Sequence, residues 1–286
     1  MDIHRATKRS RDYPEVLKTI SGPPKELFFA GPLSDLLQRP RVAIVGSRRV
    51  TPYGRQVTLD LAERLAEQGI VIISGLALGV DGLAHQAALE VNGLTIAVLP
   101  GPVEEIVPAS HQRLAEAILA KDGVLVSEYA QGIPPLKSNF VARNRLVAGL
   151  AQAVIITEAS EKSGSLHTAR FALEQGKEVL AVPGNITSSF SIGANNLLKA
   201  GAMPCVDYRD VLHILGLYGH DAPLRLIRGH SPEEQTVLDL LLRGLSDGQV
   251  LLEESGLSVT DFNHTLTMLE INGQVRPLGA NHWALR

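Results

Sequence analysis

A single cysteine, Cys205, is all the thiol this 286-residue chain holds. That excludes an internal disulfide framework and fits a reducing cytoplasm. Long apolar runs are missing as well: stretches such as Ala153-Val154-Ile155-Ile156 fall far short of the roughly 20 residues that cross a bilayer. The amino terminus, Met1-Asp2-Ile3-His4-Arg5, lacks the apolar segment of a secretion signal. Gly46 is followed by seven other residues before Gly54, so no G-x-G-x-x-G dinucleotide turn exists there, and no G-x-x-x-x-G-K-[ST] occurs for a P-loop. The nine histidines have no metal-ligand spacing with cysteines or carboxylates, and neither His-x-Glu nor G-x-S-x-G is present. The expectation is a cytoplasmic protein without cofactor, metal or catalytic residues.

The most telling absence is of acid. Two windows, 36–59 and 129–157, contain no Asp or Glu, although the chain carries 30 acids against 27 Lys and Arg. The first holds Arg39, Arg41, Arg48, Arg49 and Arg55; the second holds Lys137, Arg143 and Arg145. In the first window Val42-Ala43-Ile44-Val45 ends abruptly at Gly46, as a buried strand does. Gly46-Ser47-Arg48 then leads to Thr51-Pro52, a helix cap with proline at the first helical position. In the second, Asn139-Phe140-Val141-Ala142-Arg143-Asn144-Arg145 places an aromatic ring three residues before an arginine near a helix start. Both patterns suit an anionic backbone with a base to stack.

Between residues 41 and 217, short β-branched strands alternate with amphipathic helices. Strands are expected over 42–46, 70–74, 95–99, 124–127, 153–157, 178–182 and 203–206. Their near-continuous apolar character implies a mostly parallel sheet covered on both faces, a doubly wound Rossmann-like α/β domain over 39–217. Residues 1–38 read as an extension, with a strand over 26–30, and Gly219, Pro223 and Gly229 mark a linker over 218–230. Ser231-Pro232-Glu233-Glu234 opens a last domain over 231–286 as a capping box. Its expected helices near 232–243, 247–255 and 259–272, with a hairpin at Gly279-Ala280-Asn281, form a winged-helix pattern. That end carries three arginines against eight acids, and its third helix has Asp261 and Glu270 but no Lys or Arg. A protein-contact or regulatory role suits it better than duplex binding.

Ligands of open parallel sheets bind beyond the carboxyl ends of the strands. There the sequence places Gly46-Ser47-Arg48, then Ser74-Gly75-Leu76-Ala77-Leu78-Gly79-Val80-Asp81 with His85, and Ser163-Gly164-Ser165. Asp81 and His85 share a helix face, either as a catalytic pair or as a helix cap and a histidine bonded to neighbouring turns. Glu128 and Glu158 end strands and read as structural, or as anchors for arginines.

The ordered set Val45-Gly46-Ser47-Arg48, Ser74-Gly75-Leu76-Ala77-x-Gly79-Val80-Asp81-x-x-Ala84-His85, Phe140-x-x-Arg143-Asn144-Arg145, Glu158-Ala159 with Ser163-Gly164-Ser165-Leu166-x-Thr168-Ala169, and Pro183-Gly184 resembles the DNA-processing protein A (DprA/Smf) family over about 26–217. The resemblance implies a non-enzymatic single-stranded DNA binder. It would protect incoming DNA in natural transformation and load a RecA-type recombinase, usually as a homodimer. The family's DNA pocket, carried over, comprises Gly46, Ser47, Arg48, Lys137, Phe140, Arg143, Asn144, Arg145, Lys162, Ser163, Gly164 and Ser165. A dimer would use the surroundings of the helix over 195–199. Leu99-Pro100-Gly101-Pro102 departs from the family's turn there, and its two prolines remove backbone donors. The alternative is a nucleotide N-glycosidase of the related phosphoribohydrolase group. That group carries Pro-Gly-Gly-x-Gly-Thr-x-x-Glu, whereas here the glutamate falls on Thr168 or Phe171.

Overall fold

The computed structural model describes residues 1–217 and 229–285, so most of the expected linker over 218–230 lies outside the described residues. The chain divides into two compact units, Met1–Tyr218 and Gly219–Arg286. The first unit runs through His4–Thr7 (β1), Glu26–Ala30 (β2), Leu33–Leu36 (α1), Arg41–Val45 (β3), Pro52–Glu67 (α2), Val71–Ser74 (β4) and Val80–Glu90 (α3). It continues with Thr95–Val98 (β5), Gln112–Ala120 (α4), Val124–Ser127 (β6), Lys137–Leu150 (α5), Ala153–Ile156 (β7) and Ser165–Glu174 (α6). Glu178–Ala181 (β8), Ile192–Lys199 (α7), Met203–Pro204 (β9) and Tyr208–Ile214 (α8) complete it.

One sheet takes all nine strands in the order β1-β2-β6-β5-β4-β3-β7-β8-β9. From β6 to β9 every neighbouring pair is parallel; β2 runs antiparallel to β6, and β1 to β2. The central strands are apolar at consecutive positions because both faces are covered. Ala43, Val45, Ile73 and Val154 pack with Leu146, Val147 and Leu150 of α5 and Ala169 and Ala172 of α6. On another patch Ala97, Leu99 and Leu125 pack with Leu89 of α3 and Ala115 and Ile118 of α4. Residues 1–38, expected as an extension, are built into this unit. They supply two strands to the sheet and Tyr13, Leu17 and Ile20 to the core, and the Tyr13 hydroxyl donates to the Pro24 carbonyl at 2.8 Å.

Local chemistry sets the helix starts as the sequence predicts. The Thr51 hydroxyl accepts from the Gly54 N–H at 3.1 Å, with Pro52 first in α2. In the second unit Ser231 accepts from the Glu234 N–H at 3.2 Å to open Pro232–Leu242 (α9), but the Glu234 carboxylate accepts from the His230 N–H at 2.6 Å, so the expected capping box is only half formed. Gly248–Ser255 (α10), Val259–Ile271 (α11) and the hairpin of Val275–Gly279 (β10) with His282–Leu285 (β11) follow. Val237, Leu238, Leu241, Leu251, Phe262, Leu266 and Leu269 form its core. Ala280 and Asn281 turn the hairpin at φ of 50° and 59°.

Candidate functional site

Strand order reverses at β3, with β4, β5 and β6 on one side and β7, β8 and β9 on the other. Loops leaving the strands at such a reversal diverge, opening a crevice at the carboxyl ends. Here the crevice is a cleft of about 460 Å³. The loop after β3 contributes Gly46, Ser47 and Arg48, α5 contributes Phe140, Arg143 and Asn144, and the turn into α6 contributes Ser163, Gly164 and Ser165. Nine of the twelve residues carried over by resemblance therefore meet in one place, although they come from segments more than a hundred residues apart.

The loop after β3 is held by its own backbone and by the loop after β7. The Ser47 N–H donates to the Glu158 carbonyl at 2.8 Å, and the Ser47 hydroxyl donates to the Arg49 carbonyl at 2.7 Å while accepting from the Arg49 N–H at 3.1 Å. A Cβ at Gly46 would stand 2.7 Å from Val80 Cγ2 and 2.8 Å from the Glu158 carbonyl oxygen, so this glycine is required by the protein's own packing. The Glu158 carboxylate accepts from the Thr51 N–H at 2.9 Å and from the Thr51 hydroxyl, and is thus structural. These bonds leave Arg48 exposed at the cleft. Its guanidinium lies 5.2 Å from the centre of the Phe140 ring, a cation–π contact spanning the opening.

Arg143 differs from the phosphate ligand that its place in an acid-free window suggests. It is 3% exposed, and its guanidinium donates to the carbonyls of Gly75 and Val98, at the ends of β4 and β5. Its Nε donates to Asn144 Oδ1 at 3.2 Å. Burial pushes its pKa down to about 10, against the pull of Asp81. Gly75 suits this arrangement, because a Cβ there would stand only 2.3 Å from the nearest nitrogen of the buried guanidinium. Asp81 accepts from the Gly75 N–H at 3.0 Å, and burial raises its pKa, opposed by Arg143. Arg143 is therefore a strut under the cleft, joining α5 to two strand ends. Asp81 makes no side-chain cap for α3. His85 is fully buried, its Nδ1 2.6 Å from the Thr95 hydroxyl and its pKa pushed down to about 3 by burial, with His111 and Arg143 adding to the effect. It thus bonds across to the strand rather than to neighbouring turns, because the buried Thr95 hydroxyl lies within reach of Nδ1. Asp81 and His85 thus take different hydrogen-bond partners, Gly75 and Thr95.

The far wall is the start of α6, which has no side-chain cap hydrogen bond. The Ser163 and Ser165 hydroxyls lie 2.8 Å apart, and Asn144 Nδ2 donates to the Gly164 carbonyl at 3.3 Å, tying α5 to this turn. The Leu166 and His167 N–H groups bond back to the Ser163 and Gly164 carbonyls at 3.1 and 3.2 Å, and the Ser165 N–H lies 3.4 Å from the Ser163 hydroxyl, so the two serine hydroxyls are what this turn offers an anion.

Three expected residues do not line the cleft. Lys137 and Lys162 are exposed, one at the start of α5 and the other just before Ser163. Arg145 turns to a separate cavity and pairs with Glu128 at 2.5 Å, as the strand-end glutamate suggested. Arg145 lies one helical position beyond Asn144, about 100° round α5, so the two residues cannot face the same side. The cleft also takes Arg49, Ser160 and Phe190, which the sequence reasoning left out of the site. Arg49 was visible in the acid-free window; Phe190 lies in a loop after β8 with no motif to mark it.

The profile of the DNA recombination-mediator protein A family matches residues 4–216. Protein Smf of Escherichia coli is 39% identical over 293 residues, covering 99% of this chain and 78% of that protein. Among solved structures, DNA processing protein A of Streptococcus pneumoniae superposes with a TM-score of 0.70 at 40% identity, covering 74% of each chain. The DNA processing protein A of Helicobacter pylori, described for its single-stranded DNA binding mode, gives a TM-score of 0.67 at 37% identity, covering 76% of this chain and 97% of that one.

Proposed function

Because this chain belongs to the DNA recombination-mediator protein A family, we propose that its strand-end cleft binds the backbone of single-stranded DNA and stacks a base at its mouth. The observation that carries this reading is the contact between exposed Arg48 and the Phe140 ring, in one cleft with the Ser163 and Ser165 hydroxyls. It sets charge, a π surface and hydrogen-bond donors around one cleft of nucleotide size. Net charge over 1–230 is only +2, so a local pocket, rather than a positively coated surface, must supply the attraction.

The role is binding without chemistry. Asp81, His85 and Glu158 are engaged in holding the fold, and Thr168 stands in the cleft at one of the two positions where the phosphoribohydrolase group carries its glutamate. In the cell the protein would act in the cytoplasm, shield incoming strands, hand them to a RecA-type recombinase, and work as a homodimer through the surroundings of α7. The acidic second unit serves protein contacts. None of the described helices is long and apolar enough to cross a membrane.

Titration of labelled oligothymidine at roughly 50 and 200 mM salt tests the reading. Affinity should exceed that for a duplex of equal length, fall steeply with salt, and weaken in Arg48→Ala. Equal affinity for duplex, with no effect of Arg48→Ala, would overturn it.

A further inference from the structure

Across the loop that joins β3 to α2 lies a second cleft, of about 550 Å³. Pro52 and Tyr53 at the start of α2, Glu158, and Pro183, Asn185 and Ser191 from the loop between β8 and α7 line it. The two clefts share a wall. Arg49 and Phe190 face the first, while Thr51 and Ser191, two and one residues further along the same segments, face the second.

This second cleft is held ready. The Tyr53 hydroxyl donates to the Pro183 carbonyl at 2.7 Å, yet 47% of the residue stays exposed, so a ring of fixed position is open to a flat partner. Asn195 braces the loop opposite, its Oδ1 accepting from the Gly184 N–H at 3.1 Å and its Nδ2 donating to the Gly184 carbonyl at 3.0 Å. The polar groups favour a neutral occupant. Glu158 retains acceptor capacity beyond its two bonds to Thr51, and its carboxylate repels phosphate. Asn185 uses its Oδ1 on the Thr187 N–H and hydroxyl, which leaves its amide hydrogens for a ligand. Every nucleobase edge carries both donors and acceptors, and every base has a face to stack.

We propose that this second cleft is a nucleobase subsite. A strand with its phosphate at Arg48 crosses the wall at Arg49 and Phe190 and stacks one further unpaired base on Tyr53. The inference rests on the reading of the first cleft as the phosphate site.

Fluorescence anisotropy of the full chain with a labelled oligothymidine, carrying a single abasic position moved along its length, separates the two readings. In the unmodified protein the abasic scan shows two minima in affinity, one for the base at Phe140 and one for the base at Tyr53. Tyr53→Ala weakens intact oligothymidine about ten-fold, in the range for one lost base–aromatic stack. It also abolishes the second minimum while leaving the first. Tyr53→Phe, which keeps the ring and loses the bond to Pro183, retains both minima. The subsite is overturned if Tyr53→Ala leaves the scan unchanged, or if both variants lower affinity uniformly at every abasic position. If Arg48→Ala binds as the unmodified protein does, it is the first cleft's assignment that fails, a result distinct from either.

Discussion

Replacing Arg143 by alanine removes a guanidinium that is 3% exposed, leaves the carbonyls of Gly75 and Val98 without its hydrogen bonds, and takes a positive charge from the surroundings of buried Asp81. Each buried acceptor left unsatisfied costs about 1–3 kcal/mol, so the two carbonyls together put the loss at about 2–6 kcal/mol. In a unit of this size each kcal/mol moves the melting temperature by about 2–4 °C, so a fall of roughly 10 °C is expected. Arg48→Ala, on an exposed side chain, should stay within about 0.5 kcal/mol. Thermal unfolding followed by far-ultraviolet circular dichroism measures both; the lone tryptophan, Trp283, sits in the second unit and would not report on the first. Adding Asp81→Asn to Arg143→Ala should cost less than the two singles together, since Asp81 and Arg143 hold the same Gly75, one by its N–H and the other by its carbonyl. Arg143→Ala with unchanged unfolding and a binding loss equal to that of Arg48→Ala would show that Arg143 is a free phosphate ligand and refute the strut.

Three further outcomes follow from the same geometry. His85 has a folded pKa of about 3 against an ordinary 6.5, so the unfolded chain takes up the proton first. The stability this provides is complete above about pH 6.5 and is lost as pH falls toward 3, by up to about 1.4 kcal/mol per unit; between pH 7 and 5, His85→Asn should lose about 2 kcal/mol less than the unmodified protein in urea titrations. Gly75→Ala forces a Cβ into the Arg143 guanidinium and should cost at least about 1–3 kcal/mol, read as a lower urea midpoint. Arg145→Ala should leave the salt slope of oligothymidine binding unchanged, because Arg145 is held by Glu128 outside the cleft, whereas Arg48→Ala should reduce that slope by about 0.7.

Much of this was legible in the sequence, for physical reasons that differ between elements. Val42 to Val45 read as a buried strand and Thr51-Pro52 as a helix start, and both form as such, since these signals are local. Residue types also placed Gly46, Ser47, Ser163 and Ser165 at strand ends, where an open parallel sheet gathers its ligand groups. What an acid-free window could not tell is which of its cations reaches solvent. Arg48 stays outside because Ser47 and Arg49 bond to each other beneath it. Arg143 goes inside because Gly75 and Val98, 68 and 45 residues away in sequence, present their carbonyls to it. Long-range satisfaction of backbone groups leaves no periodic trace, and Phe190 was hidden because its loop carries no motif. Residues 1–38 misled for a related cause: their pairing partner, β6, lies about a hundred positions downstream.

Photo-cross-linking of a 5-iododeoxyuridine oligonucleotide to the full chain, with the modified residue located by peptide mass spectrometry, tests the central claim most directly. The cleft predicts covalent adducts at Phe140, lost when Arg48 is replaced by alanine. Adducts confined to residues 229–285, and indifferent to Arg48, would contradict it.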